Sequence, residues 1–296
     1  MGKIMFMMAN TVHGLKTAIE GKKSVTIEAE YGDDVVAGSR ITLAHHGIRS
    51  ANPPPCTLTN ENFEQERYEG IEVIGLSHFD LDAIGGVMAV LGMKGPGHES
   101  FWKLAGLVDV NGVHKLATLG GSPEDIKRLQ AWHAWSEAHR VYAPRDGSAI
   151  EVSKEVEVAI VAINLILADN TELLAAGEKF EKEQDELNKA SFLDMEFGVI
   201  ARESEHFVNH LYVPPPFEAG SFPAAAKAVV SYNPKTCAVT LSLADPIPGV
   251  SCRDIAVQLW GEEAGGHAGI AGGPRSGLPK SEMRKAQMAL IKAIEG

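Results

Sequence analysis

Residues 75–87 read GLSHFDLDAIGGV. An apolar run, IEVIGL at 71–76, leads in with the composition of a central strand, and AIGGVMAVLG leads out with that of a helix. Between them His78, Asp80 and Asp82 stand two apart, so along an extended chain their side chains share one side. Carboxylates this close repel and raise one another's pKa unless a cation or a basic group neutralises them. One imidazole and two carboxylates at the carboxyl end of an α/β strand suit Mn²⁺ or Mg²⁺. The competing reading makes Asp82 a helix N-cap, Asp80 a solvated loop residue and His78 a satisfied strand-end histidine.

The rest of the chain bounds what such a site could serve. It has 296 residues, 45% apolar and 22% charged, enough for two globular domains. A formal net charge of −12 is the wrong sign for a broad duplex nucleic-acid surface, but not for one small anionic substrate drawn to a local metal or Arg site. Three dispersed cysteines (Cys56, Cys237, Cys252) without a CxxC fit a reducing compartment. Cys56 follows three prolines, but no nucleophilic arrangement can be argued for it. The N-terminal MGKIMFMMANTVHG lacks a clean cleavage site, and VEVAIVAINLILA at 156–168 is too short to span a bilayer. A cytoplasmic protein that binds no membrane is the expectation, and a homodimer is compatible with it.

Strands are expected at 25–30, 40–44 and 71–76, while FWKLAGLV at 101–108 reads as either strand or helix. Ser122-Pro123 opens a helix that runs to about Arg140, with Ser122 as cap. A long helical region covers about 151–191, its EKFEKEQDELNK end a solvated charged face. Strands follow at 197–202 and 206–213, then a hairpin over AKAVVSYNPKTCAVTLSLAD, a helix at about 253–260 and a last helix at 280–294. The fold class is α/β with two domains. An N-terminal domain (1–150) with a mainly parallel sheet flanked by helices leads through a helical connector (151–192) to a smaller mixed α/β C-terminal domain (193–296).

A second motif stands at 264–273, AGGHAGIAGG, followed by Pro274-Arg275. Glycines let backbone N–H groups approach an anion, and His267 and Arg275 add side-chain donors. No GK[ST] closes the run, so it is not a Walker loop, and a flexible loop between helices is the plain alternative. His133, His139 and Arg140 lie on an aromatic helix, WHAW, that reads as core packing or as a substrate-facing wall. His210 in FVNHLY reads as structural, or as a substrate contact if it faces a cleft.

In order and spacing, SHFDLDAIGG and AGGHAGIAGG resemble the DHH phosphoesterase superfamily, in its subgroup with a DHH-associated C-terminal domain. The resemblance covers about residues 71–275. It implies a two-domain phosphoesterase in which one or two Mn²⁺ (or Mg²⁺) ions activate a water and the C-terminal glycine loop grips a phosphate. Carried over, His78, Asp80 and Asp82 match the first metal motif, Asp109 in LVDVNGVHK the next single-Asp motif, and Gly265, Gly266 and His267 the glycine loop. Arg275 and Arg140 join as substrate-binding candidates from charge and position.

The namesake Asp-His-His triplet is absent after Asp109. His114 stands five residues on, and the one adjacent His pair near a strand end is His45-His46 in ITLAHHGIRS, with Ala44 at the Asp position. His114, with Asp109, is a candidate catalytic or rearranged ligand residue. His45 and His46 are candidate ligands from a permuted or added strand, and the alternative leaves all three histidines as loop or surface residues. The expected activity is metal-dependent hydrolysis of a small phosphorylated substrate: a short oligonucleotide, cyclic dinucleotide, nucleotide or polyphosphate. A binding protein of the same fold without metal chemistry is the rival, and a metal hydrolase acting on another bond a third.

Overall fold

A computed structural model describes residues 4–31, 34–62, 70–144, 146–215, 224–266, 268–274 and 276–296. The chain divides into two compact units, Met1–Phe180 and Glu181–Gly296. Both are mixed α/β, with eight α-helices and three sheets among the described residues.

The first unit is built from β1 (Met5–Met8), α1 (Val12–Ile19), β2 (Ser24–Ile27), β3 (Glu30–Tyr31), β4 (Asp34–Val35), β5 (Ile41–Leu43) and β6 (Val73–Leu76). After these come α2 (Leu81–Val90), α3 (Glu99–Asn111), α4 (Pro123–Ala138), β7 (Ile150–Glu151), α5 (Ser153–Leu167) and the start of α6 (Thr171–Ser191). Its main sheet has the order β5-β2-β6-β1-β7, parallel except for β7. β1, in the N-terminal stretch where no strand was expected, lies inside the sheet between β6 and β7. The register pairs Ile27 with both Leu43 and Leu76, so β5, β2 and β6 finish level with one another. Whatever follows those three strands emerges along one edge, at the carboxyl ends where α/β sheets hold ligands.

Asp80, not Asp82, caps α2. Its backbone is extended (φ −135°) and its Oδ1 accepts the Ala83 N–H at 2.8 Å. That shift puts Asp82 inside the first turn, where it is 2% exposed. The FWKLAGLV segment is helical, with Phe101, Trp102, Leu104 and Ala105 turned inward at helical spacing. At α4 Ser122 caps through Asp125 N–H, and Pro123 takes the first position.

The stretch taken as a connector divides. α5 belongs to the first unit's core through Val156, Ile160, Ile163 and Ile166, spaced three or four apart on one face. Burying such side chains contributes about 1.5–3 kcal/mol each, and Ile163→Ala would cost about 2–5 kcal/mol. Among the described residues no single helix is long and apolar enough to cross a membrane.

The second unit carries β8 (Phe192–Glu196), β9 (Val199–Glu203), β10 (Ala228–Asn233), β11 (Ala238–Leu243), α7 (Cys252–Trp260), β12 (Gly265–Gly266), β13 (Ile270–Gly272) and α8 (Ser281–Glu295). Its sheet order is β12-β13-β11-β10-β9-β8. Phe197 (φ 48°) and Gly198 (φ 77°) make the two-residue turn between β8 and β9, a geometry with two left-handed positions suited to a twisted hairpin. Residues 206–213 are not a strand. The buried Arg202 draws the carbonyls of Leu211 and Val213 onto its guanidinium, and the segment passes as an irregular loop. His210 sits in a turn there, its ring stacked 5.7 Å from Phe207.

Candidate metal centre

The level strand ends of the first unit deliver the site. Glu28 follows β2, His45 and His46 follow β5 by two and three residues, and His78 follows β6 by two. Asp80 and Asp82 come from the start of α2, and Asp109 from the last turn of α3. These seven side chains converge.

His45 Nε2 lies 3.0 Å from Asp109 Oδ2, 3.3 Å from Asp82 Oδ2 and 3.6 Å from Glu28 Oε1. His46 Nε2 lies 3.0 Å from Glu28 Oε2, and His78 Nε2 lies 3.8 Å from that oxygen and 2.9 Å from Asp80 Oδ2. Glu28 thus stands between two sets, one oxygen toward His45, Asp82 and Asp109, the other toward His46 and His78. Glu28 is fully buried and takes a left-handed backbone, φ 52°.

Five buried atoms of this cluster, both Glu28 oxygens, His45 Nε2, Asp82 Oδ2 and Asp109 Oδ2, make no well-aligned hydrogen bond and meet only other ionisable side chains of the cluster. Native interiors rarely leave such groups unmet. The two tightest groups, Glu28-His45-His46 and His45-Asp82-Asp109, each hold donor atoms within 4.8 Å of one another. Ligands about 2.1 Å from an octahedral ion stand about 3.0 Å apart at adjacent corners, and the separations here run from 2.9 to 3.8 Å. Carboxylates suit Mg²⁺ or Mn²⁺ and imidazoles suit borderline ions, so the donor set is compatible with a divalent cation.

The electrostatics express the same want of a cation. Burial pushes the Glu28 carboxyl up to about 7, with His46 opposing and Asp82 assisting. Burial acts downward on His45, but Asp109, Asp82 and Glu28 outweigh it and raise the imidazole to about 10. His78 is likewise lowered by burial and raised further by Asp80, to about 9. Glu28 raises His46. Asp80 is pushed up by burial but held below its ordinary value by His78 and the Ala83 N–H. Without metal, protons on the imidazoles do the neutralising.

Surrounding groups fix the aim of these side chains. The Glu30 carboxylate accepts the backbone N–H groups of both His45 and His46, and Asn52 Nδ2 donates to Ala44 O at 2.8 Å. Ser77 Oγ contacts His78 Nδ1 at 2.7 Å and donates to Glu28 O. Cys56 is fully buried, its thiol pushed well above the ordinary range by burial, and its N–H donates to Asp82 Oδ1 at 2.8 Å.

A cavity of about 430 Å³ opens onto the cluster, lined by His78, Asp80, Asp82 and Asp109 and by Trp132 and Arg140 among others. Arg140 is held by Glu137, with Nε at 2.8 Å, and reaches Tyr142 Oη at 3.3 Å. His133 also lines the cavity, and burial pushes it down to about 4. His139 instead stacks on Trp135, ring centres 4.4 Å apart, with Nδ1 2.7 Å from Trp135 O.

Other candidates fall elsewhere. His114 lies on the 3₁₀ helix Val113–Thr118, its ring folded against the Gly112 backbone. Gly265 and Gly266 belong to the second unit, where they form the short edge strand β12 paired to β13 rather than a loop. A Cβ on Gly266 (φ 145°) would meet Ile270 O at 2.4 Å, so glycine is needed for that close pairing. His267 and Arg275 lie outside the described residues.

Neither a family model nor a curated protein matches the chain. Among solved structures it is similar to an exopolyphosphatase-related protein from Bacteroides fragilis, at 12% identity over 95% of this chain and 86% of that one. The TM-score is 0.28, too low for that likeness to bear on fold or chemistry.

Proposed function

We propose that the chain is a metal-dependent hydrolase of phosphate esters or anhydrides, acting on a small anionic substrate. The observation that carries this reading is the set of five buried polar atoms that meet only the cluster's own ionisable groups, with Asp82 and Asp109 reaching the wall of a cavity. His45, Asp82 and Asp109 would hold one Mn²⁺ or Mg²⁺ ion, and His46, His78 and Asp80 a second, with Glu28 between them. Bound divalent ions supply the charge that brings the pKa of a water toward neutrality and offsets charge on a phosphoryl group.

The motif resemblance to DHH phosphoesterases supports the phosphate class, and the His45-His46 pair meets the missing triplet from another strand. Arg140, half exposed at the cavity, would share its guanidinium between Glu137 and a substrate phosphate. The apolar wall around Trp132 and Leu129 would limit the water reaching the reacting phosphate.

Hydrolysis of bis(p-nitrophenyl) phosphate, pyrophosphate and a dinucleotide tests the proposal, with and without Mn²⁺, for wild type and Asp82→Ala/Asp109→Ala. Mn²⁺-dependent turnover that falls at least about a thousandfold in the double variant is the expected result. Metal uptake without turnover of any phosphate would favour another scissile bond. Neither uptake nor turnover would leave a binding protein.

A further inference from the structure

A backbone N–H holds one oxygen of the Asp82 carboxylate. Its Oδ1 is taken by the Cys56 N–H at 2.8 Å, which leaves Oδ2 as the atom facing His45. Cys56 belongs to the 3₁₀ turn Pro55–Thr57 inside the ANPPPC loop. A peptide in a proline-rich loop holds a buried carboxylate accurately only if something holds the loop.

Two features do so. Glycines on both flanking helices let the turn come close. A Cβ on Gly85 would stand 2.6 Å from Cys56 Cβ, one on Gly86 would stand 2.7 Å from Pro55 Cβ, and one on Gly106 would stand 2.4 Å from Thr57 Cγ2. On the far side, Lys94, just beyond α2, sends its ammonium into the turn. Nζ donates to the carbonyls of Cys56 and Leu58, the latter at 2.7 Å, and sits 4.1 Å from the centre of the Trp102 ring. The ring is 5% exposed and gives the ammonium an aromatic face on which to rest.

We infer that Lys94 is a positioning residue for the metal centre, fixing the Asp82 carboxylate through the Cys56 peptide. The inference rests on the reading of Asp82 as a metal-holding residue. Lys94 grips the Cys56 carbonyl within the turn and the Leu58 carbonyl just past it, and the Cys56 N–H of that turn holds Asp82 Oδ1. The Cys56 N–H is one step removed from the proposed metal, where losing a partner typically changes affinity about 10–100-fold, and Lys94 acts a step further out, toward the lower end of that range. Neither the HFDLD motif nor the His pair points to a lysine more than ten residues downstream.

The test is Mn²⁺ affinity, read from free-Mn²⁺ EPR titration of the chelator-stripped protein, alongside the urea midpoint of the same samples. The variants are Lys94→Met, Lys94→Arg and, on the wall of the neighbouring cavity, Lys103→Met. Lys94→Met is expected to weaken Mn²⁺ binding about tenfold, Lys94→Arg to recover most of it, and Lys103→Met to leave it within twofold. If Lys94→Met does not fold, Lys94→Gln, which keeps an N–H donor on a shorter arm, should show an intermediate loss. A lower urea midpoint with unchanged Mn²⁺ affinity would make Lys94 merely structural and overturn the inference while leaving the metal reading intact. Absence of Mn²⁺ binding in wild type would overturn both.

Discussion

Two buried charged regions, one in each unit, meet burial in opposite ways. In the second unit Arg202 is fully buried, and all five of its N–H donors find neutral oxygens. Nε donates to Leu211 O, Nη1 to Asn188 O and Ser191 Oγ, and Nη2 to Asn188 Oδ1 and Val213 O, between 2.6 and 3.1 Å. In the first unit five polar atoms of Glu28, His45, Asp82 and Asp109 meet only other ionisable groups, with no neutral oxygen or N–H aligned on them. A charge the protein satisfies by itself is structural. A cluster of ionisable groups that meet only one another is what the proposed metal would complete.

The largest expected effect separates the two regions directly. Arg202→Ala strands five backbone and side-chain acceptors and should cost about 3–5 kcal/mol in urea unfolding, with Mn²⁺ content of the folded fraction unchanged. If the variant unfolds at the wild-type midpoint, the description of Arg202 as a structural clamp fails. Next, Mn²⁺ at a hundred times its dissociation constant should stabilise the wild-type protein by about 2.7 kcal/mol, reversibly with chelator. An unchanged melting temperature would place the cluster in the same structural class as Arg202.

A pH series sharpens the contrast further. The Glu28 carboxyl, at about 7 in the folded chain against an ordinary 4.5, costs nothing below pH 4.5 and lowers stability as pH rises through 7. The His45 and His78 imidazoles, at about 10 and 9, give stability that is full below 6.5 and is lost as pH climbs through those values. Metal-free protein should therefore lose stability steadily from pH 5 to 9. Glu28→Gln should remove on the order of 2 kcal/mol of that loss, measured by urea titration at each pH. The slope should survive Arg202→Ala where that protein remains folded. The smallest effect belongs to Arg140→Ala. It should raise KM about tenfold for a phosphate substrate and leave Mn²⁺ affinity as it was.

Much of the site can be read in the chain, for reasons that also mark what was missed. HFDLD announces itself because strand, loop and helix cap are contiguous, and His45-His46 because an adjacent pair after an apolar run is conspicuous. Glu28 does not. In VTIEAE the alternation reads straight through it as strand, whereas β2 stops at Ile27 and Glu28 turns left-handed into the site. Its signal was a lone carboxylate at the end of a short parallel strand, and it becomes visible only once β2 is known to lie between β5 and β6. Asp80 and Asp82 exchanged expectations because two residues were equally suited to cap α2. Asp82's role as acceptor for the Cys56 N–H depends on a contact 26 residues away that no local pattern encodes. The strand expected at 206–213 failed for a similar reason, since its backbone carbonyls are claimed by a buried arginine.

The measurement that bears most directly on the cluster is elemental analysis of protein purified without chelator, wild type beside Asp82→Ala and Arg202→Lys. One or two equivalents of Mn or a similar divalent ion in wild type and Arg202→Lys, lost or halved in Asp82→Ala, is the predicted result. Metal-free wild-type protein that also takes up no Mn²⁺ on titration would contradict the account.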